Sequence, residues 1–389
     1  MKRILYLTFY FEPDLCAGSF RNSPLVKELA RQTNGEAEVH VLTTMPNRYQ
    51  SFFAECPAEE KTGNLLVKRI LLPAHQSGFV DQINSFRSYY RWVSEETRDE
   101  KYDMVVASSS RLFTAYLGYK IARKCEAPLY LDIRDIFVDT LNDVLPNKLV
   151  KFFLLPVLKS IEKKIFGYAI HINLISEGFK PYFRQYATAK YSYYTNGIDK
   201  EFELDNPYTE LLAFSPLTIT YAGNIGEGQG LHKIVPDAAS LLGNGYVFRI
   251  IGDGGTRELL ENEIKQRNLT NVSIEKPVKR AELIEIYKRS HFLFIHLNDY
   301  RAFEKVLPSK VFELGALPRP LLAGVNGYAR EFIRKNVSNS ILFDPGNAVE
   351  LADSIRGFSY KNLLRKDFID RFGRENINEK MAASIKRYL

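Results

Sequence analysis

The chain has 389 residues, 45% hydrophobic and 25% charged, with a formal net charge of +7. At roughly 100–200 residues per domain that length predicts two or three domains, and the composition excludes disorder, collagen-like repeats and small disulfide-stapled folds. No apolar run reaches the roughly 18 residues of a membrane span; the longest are Ile4 to Phe11 and Phe152 to Leu158. Lys2 and Arg3 precede the first run as in a signal peptide, but Glu12, Pro13 and Asp14 follow without a small-residue cleavage site. The run therefore reads as a buried strand and the protein as cytoplasmic. Cys16, Cys56 and Cys125 have neither CxxC nor Cys/His spacing, which supports no disulfide framework and no zinc site. The basic excess is local: residues 145-190 hold 8 Lys/Arg against 2 Asp/Glu.

In chain order, short apolar runs alternate with helical periodicity, the pattern of an α/β protein with parallel sheets covered on both faces. Ile4 to Phe9 is the first strand, and a loop to Gly18 leads to a helix from about Ser19 to Arg31. Glu38 to Leu42, Leu65 to Leu71, Met104 to Ala107, Leu129 to Asp132 and Ala169 to Leu174 follow as strands, with helices over 82-99, 111-124 and 148-166. Asn-Gly, Asp-Asn-Pro and Ser-Pro turn signals interrupt the pattern near Tyr191 to Pro216. Six more strands then begin at Leu217, Tyr246, Val272, Phe292, Pro320 and Ser340, and helical patterns close the chain at 347-356, 361-371 and 374-388. The expected division is an N-terminal domain 1-195, a linker 196-216, a C-terminal domain 217-370, and a terminal helical segment 371-389 free to pack back on the first domain. Two such domains in tandem predict a ligand in the cleft between them.

The strongest local signal is Gly223-Asn224-Ile225-Gly226-Glu227-Gly228-Gln229-Gly230, a glycine-rich turn between a strand and a helix. Glycines let backbone N–H groups approach phosphate oxygens, and a helix N-terminus adds partial positive charge. A ligand-free tight turn has the same sequence. Gly252-Asp253-Gly254-Gly255 is a second such turn on the same sheet, so both face one crevice. Pro308-Ser309-Lys310 followed by Glu313 puts an ammonium and a carboxylate on one helix face near its start. That pair suits a phosphate and the adjacent hydroxyls of a ribose; an exposed ion pair with no ligand is the alternative.

With these residues together, the chain resembles a retaining glycosyltransferase of the GT-B fold, in the family 4 group that includes bacterial surface-polysaccharide and O-antigen enzymes. The resemblance rests on seven motifs in order: Tyr10 to Arg21, Thr44 to Tyr49, Asp132-Ile133-Arg134-Asp135, Thr195 to Asp199, Tyr221 to Gly226, Gly252-Asp253-Gly254, and Pro308 through Glu313. It implies two tandem Rossmann-like domains, the second binding a nucleotide-diphosphate sugar, with UDP-sugars expected, and the first binding a lipid-linked or saccharide acceptor. Donor-binding positions carried over are Gly18, Gly223, Asn224, Gly226, Asp253, Lys310 and Glu313, with Glu313 on the ribose. Acceptor-side positions are Asn47, Arg48 and Arg134.

The family's usual second glutamate, seven intervening residues before Glu313, falls on Lys305, with Glu304 adjacent. Both are carried as catalytic candidates with Asp135, which stands where relatives often have a histidine. Asn224 and Gln229 occupy places where relatives carry cations, so Lys310 is the first candidate to neutralise the diphosphate, then Lys305 or Arg301. An ion pair between Arg134 and Asp135 that braces the loop is the bland reading there. The resemblance implies attack on the face the diphosphate leaves, without a protein nucleophile, histidine catalyst, metal or cofactor.

Residues 148-166 combine lysines on one side with Phe and Leu on the other, which suits the anionic inner face of the cytoplasmic membrane. A core-packing helix with a solvated basic face is the alternative. No basic-aromatic platform or helix-turn-helix pattern suggests nucleic acid. A non-hydrolysing nucleotide-sugar epimerase and an inactive sugar-nucleotide-binding subunit remain the rival functions.

Overall fold

The computed structural model describes residues 1–14, 16–47, 55–72, 79–109, 112–144, 147–203 and 216–389. The chain forms two compact units, Met1–Asn196 with Glu375–Leu389, and Gly197–Arg374.

The first unit holds an eight-stranded sheet of β1 (Lys2–Leu7), β2 (Ala37–Thr44), β3 (Glu59–Thr62), β4 (Leu65–Ile70), β5 (Met104–Ser109), β6 (Leu129–Ile133), β7 (His171–Leu174) and β8 (Lys190–Ser192). Its spatial order is β3-β4-β2-β1-β5-β6-β7-β8, parallel except for the β3–β4 edge hairpin. All six residues of β5 are buried, as expected for a central strand covered on both faces. Helices Ala17–Gln32, Phe79–Glu96, Leu112–Cys125, Phe137–Val144 and Lys148–Tyr168 connect the strands. Met381, Ala382 and Ile385, from helix Arg374–Lys386, share one apolar core with Ile4, Tyr6, Val39 and Val106.

The second unit holds six parallel strands, β9 (Leu217–Asn224), β10 (Tyr246–Asp253), β11 (Val272–Glu275), β12 (Phe292–His296), β13 (Leu321–Gly324) and β14 (Ser340–Phe343), in the order β11-β10-β9-β12-β13-β14. In each sheet the winding reverses once, beside β1 in the first and beside β9 in the second, and such reversals open a crevice at the carboxyl ends of the strands.

Several boundaries differ from the sequence expectation. The start of the expected linker is core: Ile198 and Phe202 are fully buried in the second unit, whereas 204–215 lies outside the described residues. Ile198 bridges Gly373, with Ile198 N–H donating to Phe372 O (2.8 Å) and Arg374 N–H to Ile198 O (2.8 Å), so the two chain crossings run side by side. The expected helix 361-371 begins only at Lys366. Arg365 explains the delay: its buried guanidinium donates to the carbonyls of Ser338, Gly315, Leu317, Arg319 and Asn339, which requires extended chain before it. Burial pulls that guanidinium down to about 10. Two of its acceptors lie at the carboxyl end of helix Lys310–Ala316, where a cation complements the helix dipole.

Candidate active site

The second unit's glycine turn leaves β9 at the sheet reversal. Gly223 (φ 155°) lies against two side chains: a β-carbon there would sit 3.2 Å from the Tyr221 hydroxyl and 3.4 Å from Lys310 Cε. A β-carbon on Gly252 would overlap the Gly223 carbonyl oxygen. Small residues at both strand ends therefore let the two glycine turns meet, and Ile225 N–H donates to Asp253 O at 2.8 Å. Asp253 itself is exposed and accepts from Gly254 N–H at 2.8 Å. The turn is held from several sides. Tyr221 donates to Asn224 O (2.7 Å), Asn224 Nδ2 to Gln229 Oε1 (2.8 Å), and Asn298 Nδ2 to Glu227 O (2.9 Å). Phe303 approaches Gly228 from the one-turn helix Arg301–Lys305, on which Glu304 is exposed and Lys305 half-buried.

His296 anchors the turn from below. Its Nδ1–H donates to Gln229 O at 2.6 Å and its Nε2 accepts from Gly346 N–H at 2.9 Å, an arrangement available only to the neutral ring. Burial pushes its pKa down to about 4.

Lys310 and Glu313 begin helix Lys310–Ala316, one turn apart, with Lys310 Nζ 3.4 Å from Glu313 Oε2. The other carboxylate oxygen, Oε1, stands 3.9 Å from Arg280 Nη2. Arg280 starts the helix after β11 and also pairs with Asp199, whose second oxygen accepts from Arg374. The result is a line of alternating charge, Arg374, Asp199, Arg280, Glu313 and Lys310, ending at the glycine turn. Burial opposes the Lys310 charge, but Tyr287, Glu313 and Tyr221 outweigh it and hold the ammonium above its ordinary value. Arg280 follows the same logic, with Asp199 and Glu313 offsetting burial. The pairs stay loose and partly open: the Lys310 side chain keeps 32% of its exposure and Glu313 keeps 18%. A carboxylate with one cation beside each oxygen suits a vicinal diol, and the cations suit a phosphate. Sequence reading missed Arg280. It lies beyond a strand end of the same sheet, which was its only signal.

In the first unit, Gly18 and Arg134 come together: a β-carbon on Gly18 would sit 2.9 Å from Arg134 Nη1. Asp135 accepts from Thr140 Oγ1 at 3.2 Å, and burial raises its pKa to about 6. Asn47 N–H donates to Asp14 Oδ2 (3.1 Å) and Asn47 Nδ2 to Thr44 Oγ1 (2.6 Å); Arg48 lies outside the described residues.

Beside the alternative of a brace between Arg134 and Asp135, the described residues show a different buried pair. Arg21 Nε and Nη2 donate to the two oxygens of Asp132, each at 2.8 Å. Ser108 (3.0 Å) and Asn173 (2.8 Å) donate to the same carboxylate, while Arg21 Nη1 donates to Thr195 O at 2.7 Å. Asp132 is thus a core residue rather than an edge acid. Although burial opposes its charge, Arg21 and these donors hold its carboxyl below the usual range.

Residues 211–372 match the family described as Glycosyl transferases group 1. Over 99 residues, 25% of this chain and 24% of that protein, the sequence is 31% identical to a protein assigned to colanic acid biosynthesis as the glycosyl transferase WcaI of Escherichia coli. The alignment therefore spans about a quarter of that relative. Among solved structures, sucrose-phosphate synthase from Thermosynechococcus elongatus is similar at a TM-score of 0.73 and 14% identity, covering 100% of this chain and 99% of that one. Anabaena HepE in complex with UDP-glucose is similar at 0.68 and 14%, covering 100% of both chains. Similarity of this kind along the entire chain shows that the protein has the two-domain α/β architecture of the GT-B fold.

Proposed function

We propose that this protein is a glycosyltransferase that takes a sugar from a nucleoside diphosphate and passes it to an acceptor. One observation carries the reading: at the strand reversal of the second unit, the Gly223 turn, Lys310 and the flanked carboxylate of Glu313 converge. Glu313 receives the two ribose hydroxyls. Lys310, with the backbone N–H groups at the start of helix Leu231–Leu242, receives the diphosphate, so the reading takes no metal or cofactor. The matched family and the UDP-glucose bound to HepE support a nucleotide-sugar donor, with UDP the first choice.

The finer parts of the reading are retention of configuration, a lipid-linked or saccharide acceptor, and a role in surface glycan assembly at the inner face of the cytoplasmic membrane. The WcaI similarity supports the glycan role. Leaving-group stabilisation by positioned cations, with no protein nucleophile, is the chemistry expected of retention here. On the acceptor side we assign Asn47, Arg48, Arg134 and Asp135, and near the reacting sugar Glu304 and Lys305.

The test is calorimetry with UDP. Glu313→Ala is expected to weaken binding by roughly a hundredfold, as loss of two charge-assisted hydrogen bonds would, with the melting temperature retained. Unchanged affinity removes Glu313 from the ribose. Incubation with sugar nucleotides and a membrane extract then separates the chemistries: acceptor-dependent UDP release means transfer, a product without acceptor means epimerisation, and binding alone means a non-catalytic subunit.

A further inference from the structure

Helix Lys148–Tyr168 starts at Asn147, whose side chain accepts from Leu149 N–H (2.9 Å) and Val150 N–H (3.3 Å). Its second half is an ordinary packed helix. Leu158, Ile165 and Phe166 are buried, Phe166 lies against Phe183 and Tyr186, and the only acid on the helix, Glu162, is buried and accepts from the Tyr182 hydroxyl. Its first half is not. Leu149, Phe152, Phe153 and Val157 remain 71%, 72%, 71% and 58% exposed, and Val150 is exposed beside them.

Leu149, Phe152, Phe153, Pro156 and Val157 follow the spacing i, i+3, i+4, i+7, i+8, so they form one stripe. At about 100° per residue that stripe lies opposite Leu158, Glu162 and Ile165, on the face turned away from the core. Lysines do not occupy a separate side, as the sequence had suggested. Lys163 and Lys164 continue the outward face, and Lys148 and Lys159 flank it, all exposed. Elsewhere among the described residues, large exposed hydrophobics are single along the sequence. Five on about three turns of one helix is a concentration that needs a partner, since soluble surfaces seldom keep such a patch uncovered.

We infer that the first three turns of this helix are an apolar wedge that enters an anionic lipid surface, with Phe152 and Phe153 below the headgroups and the lysines at phosphate level. Charge selects the occupant: four exposed lysines and no exposed acid on the helix complement anionic lipid, and lysine stems reach from an apolar bed to charged headgroups. The wedge rests on the membrane-surface reading given above and sharpens it, because lysines alone would hold the protein on top of the headgroups whereas buried aromatics commit it to the acyl boundary.

The experiment uses the full chain with vesicles of equimolar phosphatidylcholine and phosphatidylglycerol, and of phosphatidylcholine alone. The parent is expected to sediment with the anionic vesicles. Phe152→Ser with Phe153→Ser is expected to lower its partitioning roughly tenfold or more, while UDP affinity stays at the parent value as a check on the fold. Phe153→Trp should shift its emission to the blue and be quenched by brominated lipid.

Serine variants that sediment like the parent, or a tryptophan that stays in water, would overturn the wedge and leave purely electrostatic docking. A parent indifferent to both vesicles would overturn wedge and docking together, and stripe-dependent self-association would give the stripe to a second copy. Neither touches donor binding, which the Glu313 measurement decides separately.

Discussion

Beneath the strand ends of the first unit, the charges of Arg21 and Asp132 are sealed from water and every oxygen of the carboxylate is taken. At the strand ends of the second, Lys310, Glu313 and Arg280 stand 3.4 and 3.9 Å apart with part of each side chain open to solvent. Both sets pair cations with a carboxylate, and their satisfaction differs. A saturated buried pair has nothing left to offer a ligand. A loose, half-open one keeps hydrogen-bonding capacity that a diol or a phosphate can claim. Identity of charged residues therefore says less about function than how completely the fold has used them.

That contrast can be broken by substitution. Arg21→Met leaves Asp132 charged, buried and unpaired, and is expected to cost about 3–5 kcal/mol in chemical denaturation. Any soluble fraction should bind UDP normally; a loss below about 1 kcal/mol would mean that the pair is not structural.

Acid should test the anchor under the glycine turn. The neutral ring of His296 is favoured by the fold, its pKa lying near 4 against 6.5 for a free imidazole. Its stabilisation is complete above about pH 6.5 and is lost as pH falls toward 4, at up to about 1.4 kcal/mol per pH unit. His171 in the first unit, also near 4, adds to the same slope. Thermal melts from pH 7 to 4.5 should show His296→Gln losing less stability than the parent over this window, and an equal slope would discharge the histidine of that role.

The smallest expected effect falls on the open region. Asp199→Asn removes the charge that holds Arg280 beside Glu313, and should weaken UDP and uridine alike by roughly three- to tenfold, with a smaller loss in denaturation than Arg21→Met because the amide still accepts a hydrogen bond and the arginines stay partly solvated. Loss of UDP affinity without loss of uridine affinity would move the effect from the ribose carboxylate to the phosphates.

Much of the fold was legible because parallel strands buried on both faces leave continuous apolar runs, as β5 and β12 do. The edges were not. In β3, Glu-Glu-Lys-Thr carries no apolar residue because it pairs on one side only, and β8 is three residues long. Within the site, Lys310 and Glu313 announced themselves through their helical spacing. Arg280 did not, because its partner Asp199 lies 81 residues earlier. The segment at Leu149 to Val157 was half legible: its amphipathic spacing could be read, but the lysines were set opposite Phe and Leu, whereas Lys163 and Lys164 continue the face of the exposed apolar stripe.

The paired crossings at Ile198 and Gly373 also bear on how the molecule is made. Residues 197–374 are in effect an insertion within the first unit, whose interior is completed by Met381, Ala382 and Ile385. On the ribosome, the inserted unit can therefore emerge and fold while its host still lacks a wall, and the half begun first is the half finished last.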